Sequence, residues 1–146
     1  MLRPERDHEI PELTQYVAKA ALPDGNIFTT LRDELGRIFE DEEFADLYPT
    51  IGQPAESPAR LAMVTVMQYV ENLTDRQAAE AVRERISWKY ALGLELTDPG
   101  FHYSVLSEFR QRLIAGGAER LLLEKILECC EAKDLLKGKK KPPNDN

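Results

Sequence analysis

Histidines, cysteines and clustered acids are the side chains here with types suited to covalent or metal chemistry, and their spacing does not favour it. His8 lies in a charged, proline-flanked terminus and His102 just before a predicted helix. Neither has a serine or cysteine with an evident orienting partner, as nucleophilic catalysis requires. Both read as surface or capping residues. Cys129 and Cys130 are consecutive, so on a helix they point about 100° apart. Zinc sites use CxxC-type spacing and a second pair, so these read as partly buried helix cysteines. The run Glu40-Asp41-Glu42-Glu43, with Asp46, has the charge to attract a divalent cation, but acids also complement the dipole of a helix's first turn. It reads as a solvated helix start. Gly116-Gly117 lacks the Lys-Ser/Thr and the preceding strand of a phosphate loop. A metal-dependent nuclease built from Glu71, Asp75 and Glu80 is the residual enzymatic reading. No cofactor or metal is expected.

One stretch carries a positive pattern. The predicted helix Ser104–Ile114 offers hydroxyls, a glutamine and two arginines on its outer side. Arginine suits guanine edges, glutamine adenine edges, and serine phosphates. Placed in a major groove, this helix would bring Ser107, Arg110 and Gln111 nearest the bases, with Ser104 and Arg112 beside them. Arg83, Arg85 and Lys89, together with Lys139–Lys141, would meet phosphates. The competing reading is an ordinary solvated face, with Arg112 pairing with Glu108 four residues earlier.

The elements that must position this helix follow from punctuation and periodicity. Asn26 caps a helix whose apolar residues Ile27, Phe28, Leu31, Leu35, Ile38 and Phe39 share one face. Phe44, Leu47 and Tyr48 suggest a short helix. Ile51 to Ser57 is a loop. Ser57-Pro58 starts a helix running to about Asn72, apolar around nearly its whole circumference and therefore buried. Thr74 and Gln77 form a capping box for the next helix, with a stripe of Ala78, Val82 and Ile86. Trp88, Tyr90, Leu92 and Leu94 form a packing insert ended by Gly93. Ser104 caps the following helix, whose Val105, Leu106, Phe109 and Leu113 face inward. A last helix over 118–136 turns Leu122 and Ile126 to one side. No period-two stretch occurs, so the chain is all-α: a compact multi-helix bundle with a helix-turn-helix-like trihelical portion. Residues 1–25 are expected to be loosely ordered apart from a short helix near Glu12–Leu22. Residues 26–136 form the helical domain, and 137–146 a disordered basic and polar tail. The 17 residues between Ile86 and Ser104 exceed the three or four of a plain helix-turn-helix.

Charge and length bound the rest. The 146 residues hold 19 Lys+Arg against 26 Asp+Glu, a formal charge of -7. Residues 1–56 carry 13 acids and 5 bases, and 57–146 carry 13 acids and 14 bases. The acidic half would be repelled by nucleic acid, while the second half escapes that objection. The longest apolar stretch, Leu61 to Val70, is too short for a bilayer, which needs about 20 residues. No signal peptide is visible, so the chain reads as cytoplasmic with no membrane partner.

The segments Pro54-Ala55-Glu56-Ser57-Pro58, Tyr69-Val70-Glu71-Asn72-Leu73-Thr74-Asp75-Arg76-Gln77, Trp88-Lys89-Tyr90-Ala91-Leu92-Gly93-Leu94 and Tyr103-Ser104-Val105-Leu106-Ser107-Glu108-Phe109-Arg110-Gln111-Arg112-Leu113 occur in that order. With them the chain resembles, over about 27–136, the InsH-like N-terminal domain of bacterial insertion-sequence transposases of the DDE type. The resemblance implies a helical module preceding an RNase H-like catalytic domain, whose three carboxylates bind two Mg²⁺ ions. It also implies a part in recognising the element's terminal inverted repeats on double-stranded DNA. No β-rich segment remains here to hold those carboxylates, so this polypeptide is expected not to cut DNA. It reads as the product of a truncated, split or frameshifted transposase. The alternative is a protein-interaction module that forms a homodimer or pairs with a full-length transposase and regulates it, through the acidic first half and the amphipathic last helix.

Overall fold

The computed structural model describes residues 10–48 and 56–140. Among them every regular element is a helix and there is no strand. In order come α1 (Glu12–Ala21), α2 (Ile27–Leu35), a 3-10 helix (Asp41–Leu47), α3 (Pro58–Glu71), α4 (Asp75–Glu84), α5 (Ile86–Leu92), α6 (Ser104–Ala115) and α7 (Glu119–Lys140). His8, most of the 51–57 loop and Lys141 lie outside the described residues. α1 lies within the first 25 residues and packs on α5, where the buried Thr14 hydroxyl donates to the Leu94 carbonyl at 2.7 Å. At the other end, α7 continues to Lys140, into the segment expected as a tail. Lysine is a good helix former, and the first proline after it is Pro142.

Local chemistry sets most starts and stops. The Asn26 side chain accepts from the Phe28 and Thr29 amides, and the Thr29 hydroxyl accepts in return from the Asn26 amide. α2 ends at Leu35 rather than running on to Phe39. Gly36 follows at φ +67, a conformation that only glycine adopts readily. Ile38 and Phe39 therefore reach the core from non-helical backbone. Ser57 caps α3 by accepting from the Arg60 amide. Asp41, from the acidic run, joins it: its carboxylate accepts from the Ser57 hydroxyl at 2.6 Å and the Ala59 amide at 2.9 Å. The acid is thus a buried second cap for α3 rather than a solvated side chain. The Thr74–Gln77 capping box forms as expected.

α3 is the centre of the bundle, touching the 3-10 helix and α4, α5, α6 and α7. Its Leu61, Ala62, Val64, Val66 and Met67 are buried. Tyr69 and Val70 in its last turn are exposed. Two aromatic groups flank it. Phe28 meets Trp88 edge-on at 5.5 Å, and Phe44 touches both Phe39 and Phe109 at 5.8 Å. Helices α3, α4 and α6 pack against one another, but α4 reaches α6 through α5 and the segment 93–103.

Candidate nucleic-acid interface

Buried Leu106, Phe109 and Leu113 fall at i, i+3 and i+7 along α6 and anchor it to the core. Directly opposite, at the same spacing, lie Ser104, Ser107 and Gln111. Ser104 is the first helical residue rather than the cap. The N-cap position is Tyr103, which makes no side-chain capping bond; His102 before it accepts through Nδ1 from the Ser104 amide at 3.2 Å and lies 2.9 Å from the Ser104 hydroxyl. The Ser107 hydroxyl donates to the Ser104 carbonyl, and Gln111 is exposed.

A polar junction fixes this helix to its neighbours. Arg110 makes two hydrogen bonds to the Asp75 carboxylate, at 2.8 and 2.7 Å. The Gln68 amide donates to the same carboxylate at 2.8 Å and to the Leu73 carbonyl at 3.0 Å. One side chain each from α3, α4 and α6 therefore meets at the start of α4. Hydrogen bonds from Arg110 hold the Asp75 carboxyl below its ordinary range, and Asp75 in turn raises Arg110. Beside this junction, the Arg76 guanidinium lies 4.3 Å over the Tyr103 ring and donates to its hydroxyl at 3.0 Å. The exposed His102 ring stacks on Tyr103 at 4.3 Å. The exposed corner of α4 and α6 thus carries an arginine, two aromatic rings and, along α6, two hydroxyls and a carboxamide.

The predicted contact residues divide into two groups. Gln111 and Arg83 are exposed, and Ser104 and Ser107 are half-buried on the outward side of α6 with their hydroxyls bonded locally. The others are engaged within the fold. Arg110 is paired with Asp75, so offering it to a base would require breaking that pair. Arg85 pairs with Glu71 through two hydrogen bonds at 2.6 and 3.0 Å and lies over the Trp88 ring. Arg112 donates to the Leu47 carbonyl and sits 4.5 Å over Tyr48, rather than pairing with Glu108. Lys89 is only 2% exposed, and its ammonium donates to the Asp98 carbonyl. Desolvation lowers its pKa, Asp98 opposing and Arg83 adding to the effect. A phosphate cannot reach Lys89 without displacing the 93–103 segment. The Lys139 and Lys140 positions belong to α7. Arg76, His102 and Tyr103 are the additions to the sequence reading. The only signal for them was proximity to the capping box and to the start of α6.

No group of three or more His, Cys, Asp or Glu among the described residues is arranged to hold a metal ion. No helix of the described residues is long and apolar enough to cross a membrane.

Residues 16–112, about two thirds of the chain, match the family model described as Transposase domain (DUF772). The chain belongs to this transposase-domain family. The matched span runs from α1 to the end of the polar stripe on α6, so it contains the whole α4–α6 corner. No curated protein and no solved structure shows significant similarity to the chain. In this transposase domain the all-α architecture and the family agree with the resemblance drawn from the four sequence segments.

Proposed function

We propose that this transposase domain docks onto double-stranded DNA at the ends of an insertion sequence and carries no strand-cutting chemistry of its own. The observation that supports this reading best is the outward stripe of α6, Ser104, Ser107 and Gln111, set beside Arg76, Tyr103 and His102. These side-chain types bond phosphates and base edges. The Gln68–Asp75–Arg110 junction orients the stripe from behind, as a groove-reading helix needs. Arg83 supplies a phosphate contact from α4. Helices α3, α4 and α6 act as a trihelical, helix-turn-helix-like unit in which α5 is an insertion. In a chain of charge -7, binding depends on this local patch rather than on overall attraction, and it weakens with salt in proportion to the few phosphates that Arg76 and Arg83 neutralise.

A mobility-shift titration with the terminal inverted repeat of the parent element tests the reading. Wild type should prefer the repeat over scrambled duplex, and an Arg76→Ala/Gln111→Ala variant should lose at least tenfold in affinity. Equal binding by the two proteins would place any DNA contact elsewhere. Cleavage of a supercoiled plasmid by the purified chain with magnesium would contradict the absence of catalysis.

A further inference from the structure

We infer that Ile114 is a sequence-selecting residue: it packs on the C5-methyl group of a thymine in the major groove, next to an adenine held by Gln111. The inference rests on the DNA-binding reading above and names what that site prefers. Ile114 is 64% exposed, on a helix whose Val105, Leu106, Phe109 and Leu113 all pack on the core. Glu108, Gln111 and Ile114 follow one another at intervals of three along the outward side, and all three are exposed. Half-buried Ser107 lies two turns before Ile114 on the same side. The isoleucine therefore stands in line with a hydroxyl and a carboxamide, as a continuation of the stripe.

Spacing and chemistry select the occupant. Three residues advance about 4.5 Å along a helix axis, and bases along a strand are about 3.4 Å apart. Gln111 and Ile114 therefore reach neighbouring base pairs when α6 lies along the groove. A carboxamide suits the N6 and N7 edge of adenine, and an apolar side chain suits the methyl group that thymine presents there. Glu108, on the other flank of Gln111, repels phosphate but can accept from cytosine N4, so this ridge suits base edges rather than backbone. The end of α6 is held in place. Arg112 donates to the Leu47 carbonyl at 3.1 Å, and Gly116 leaves room for the Leu47 side chain. Ile114 is thus presented from a seated turn, which a selective contact of one methyl group requires.

Anisotropy titrations of the full chain against terminal-repeat duplexes in which single thymines are replaced by deoxyuridine, a change that removes only the methyl group, test it. With wild type, one position should cost about fourfold in affinity, the worth of one buried methyl-sized group. Ile114→Ser should bind the unmodified repeat more weakly and lose the penalty at that position, with a melting temperature close to wild type because the side chain is exposed. Ile114→Val should keep the penalty. Gln111→Ala should keep it too, while losing discrimination at the adjacent adenine. Wild type that prefers the repeat yet tolerates deoxyuridine at every position overturns the assignment of Ile114 and leaves the DNA-binding reading standing. A penalty that survives in Ile114→Ser overturns it in the same way. Wild type with no preference for the repeat over scrambled duplex overturns the DNA-binding reading, and the inference with it.

Discussion

α5 and α6 are both short helices rich in polar and aromatic residues, and they use them in opposite ways. On α5, Trp88, Lys89, Tyr90 and Ala91 are all buried. Tyr90 donates to Asp33, Lys89 donates to the Asp98 carbonyl, and Arg32 of α2 covers the Ala91 carbonyl at 3.0 Å. Its polar atoms hold α1, α2 and the following loop in place. On α6 Leu106, Phe109 and Leu113 face the core, while Gln111 is exposed and Ser104 and Ser107 are half-buried on the outward side. A positive or hydroxyl-bearing side chain is therefore available to a partner only where its helix buries one face instead of all of them.

The largest expected break in this comparison is in α5. Trp88→Ala should cost about 3–5 kcal/mol of stability, the range for a buried aromatic. Thermal or denaturant melting measures it. Because the Trp88 indole N–H is buried without a hydrogen-bond partner among the described residues, Trp88→Phe removes an unsatisfied donor along with volume and should cost clearly less than Trp88→Ala. Equal losses for the two variants would mean that the indole N–H finds a partner in solution.

The junction behind α6 comes next. Arg110→Met or Asp75→Asn should each cost about 0.5–1 kcal/mol, discounted because the Arg110 side chain is 40% exposed. In a double-mutant cycle the two should be strongly non-additive. Arg110 holds the Asp75 carboxyl below its ordinary 3.8. The pair's contribution is then complete above the unfolded-state value and is lost as the pH falls through the lowered one. The stability gap between wild type and Asp75→Asn should therefore close in acid. A gap that persists below the lowered value would assign the effect to packing rather than to charge.

The smallest stability effect belongs to the outward stripe. Gln111→Ala should leave the melting midpoint within about 0.5 kcal/mol of wild type while lowering affinity for DNA. That separation of stability from binding is what distinguishes α6 from α5.

Much of this was legible in residues close together in sequence. The Asn26, Ser57 and Thr74 caps and the Gly93 stop depend on neighbours within a few positions, and all appear as read. So does the inward triplet Leu106, Phe109 and Leu113, because helical periodicity is local. What depended on distant residues was not legible. Arg110 meets Asp75 across 35 positions and Arg112 meets Leu47 across 65, and nothing in their own segments distinguishes them from Gln111. Lys89 looked like a surface cation, but the 93–103 segment folds back over it. Asp41 resembled its acidic neighbours, and only the approach of Ser57 makes it a cap. The polar stripe was visible, whereas the arginine and aromatic pair beside it depend on α4 meeting α6.

We propose that this transposase domain meets DNA through the outward side of α6 and its α4 corner, while buried Lys89 and the internally bonded Arg85, Arg110 and Arg112 serve the fold. Fluorescence anisotropy with labelled terminal-repeat duplex, titrated against wild type and the Arg76→Ala/Gln111→Ala variant at two salt concentrations, tests it most directly. Salt-sensitive, repeat-preferring binding should drop at least tenfold in the variant, with stability lowered by no more than about 1 kcal/mol for the lost Arg76–Tyr103 contact. Binding that is absent in wild type, or equal in both proteins, would contradict it.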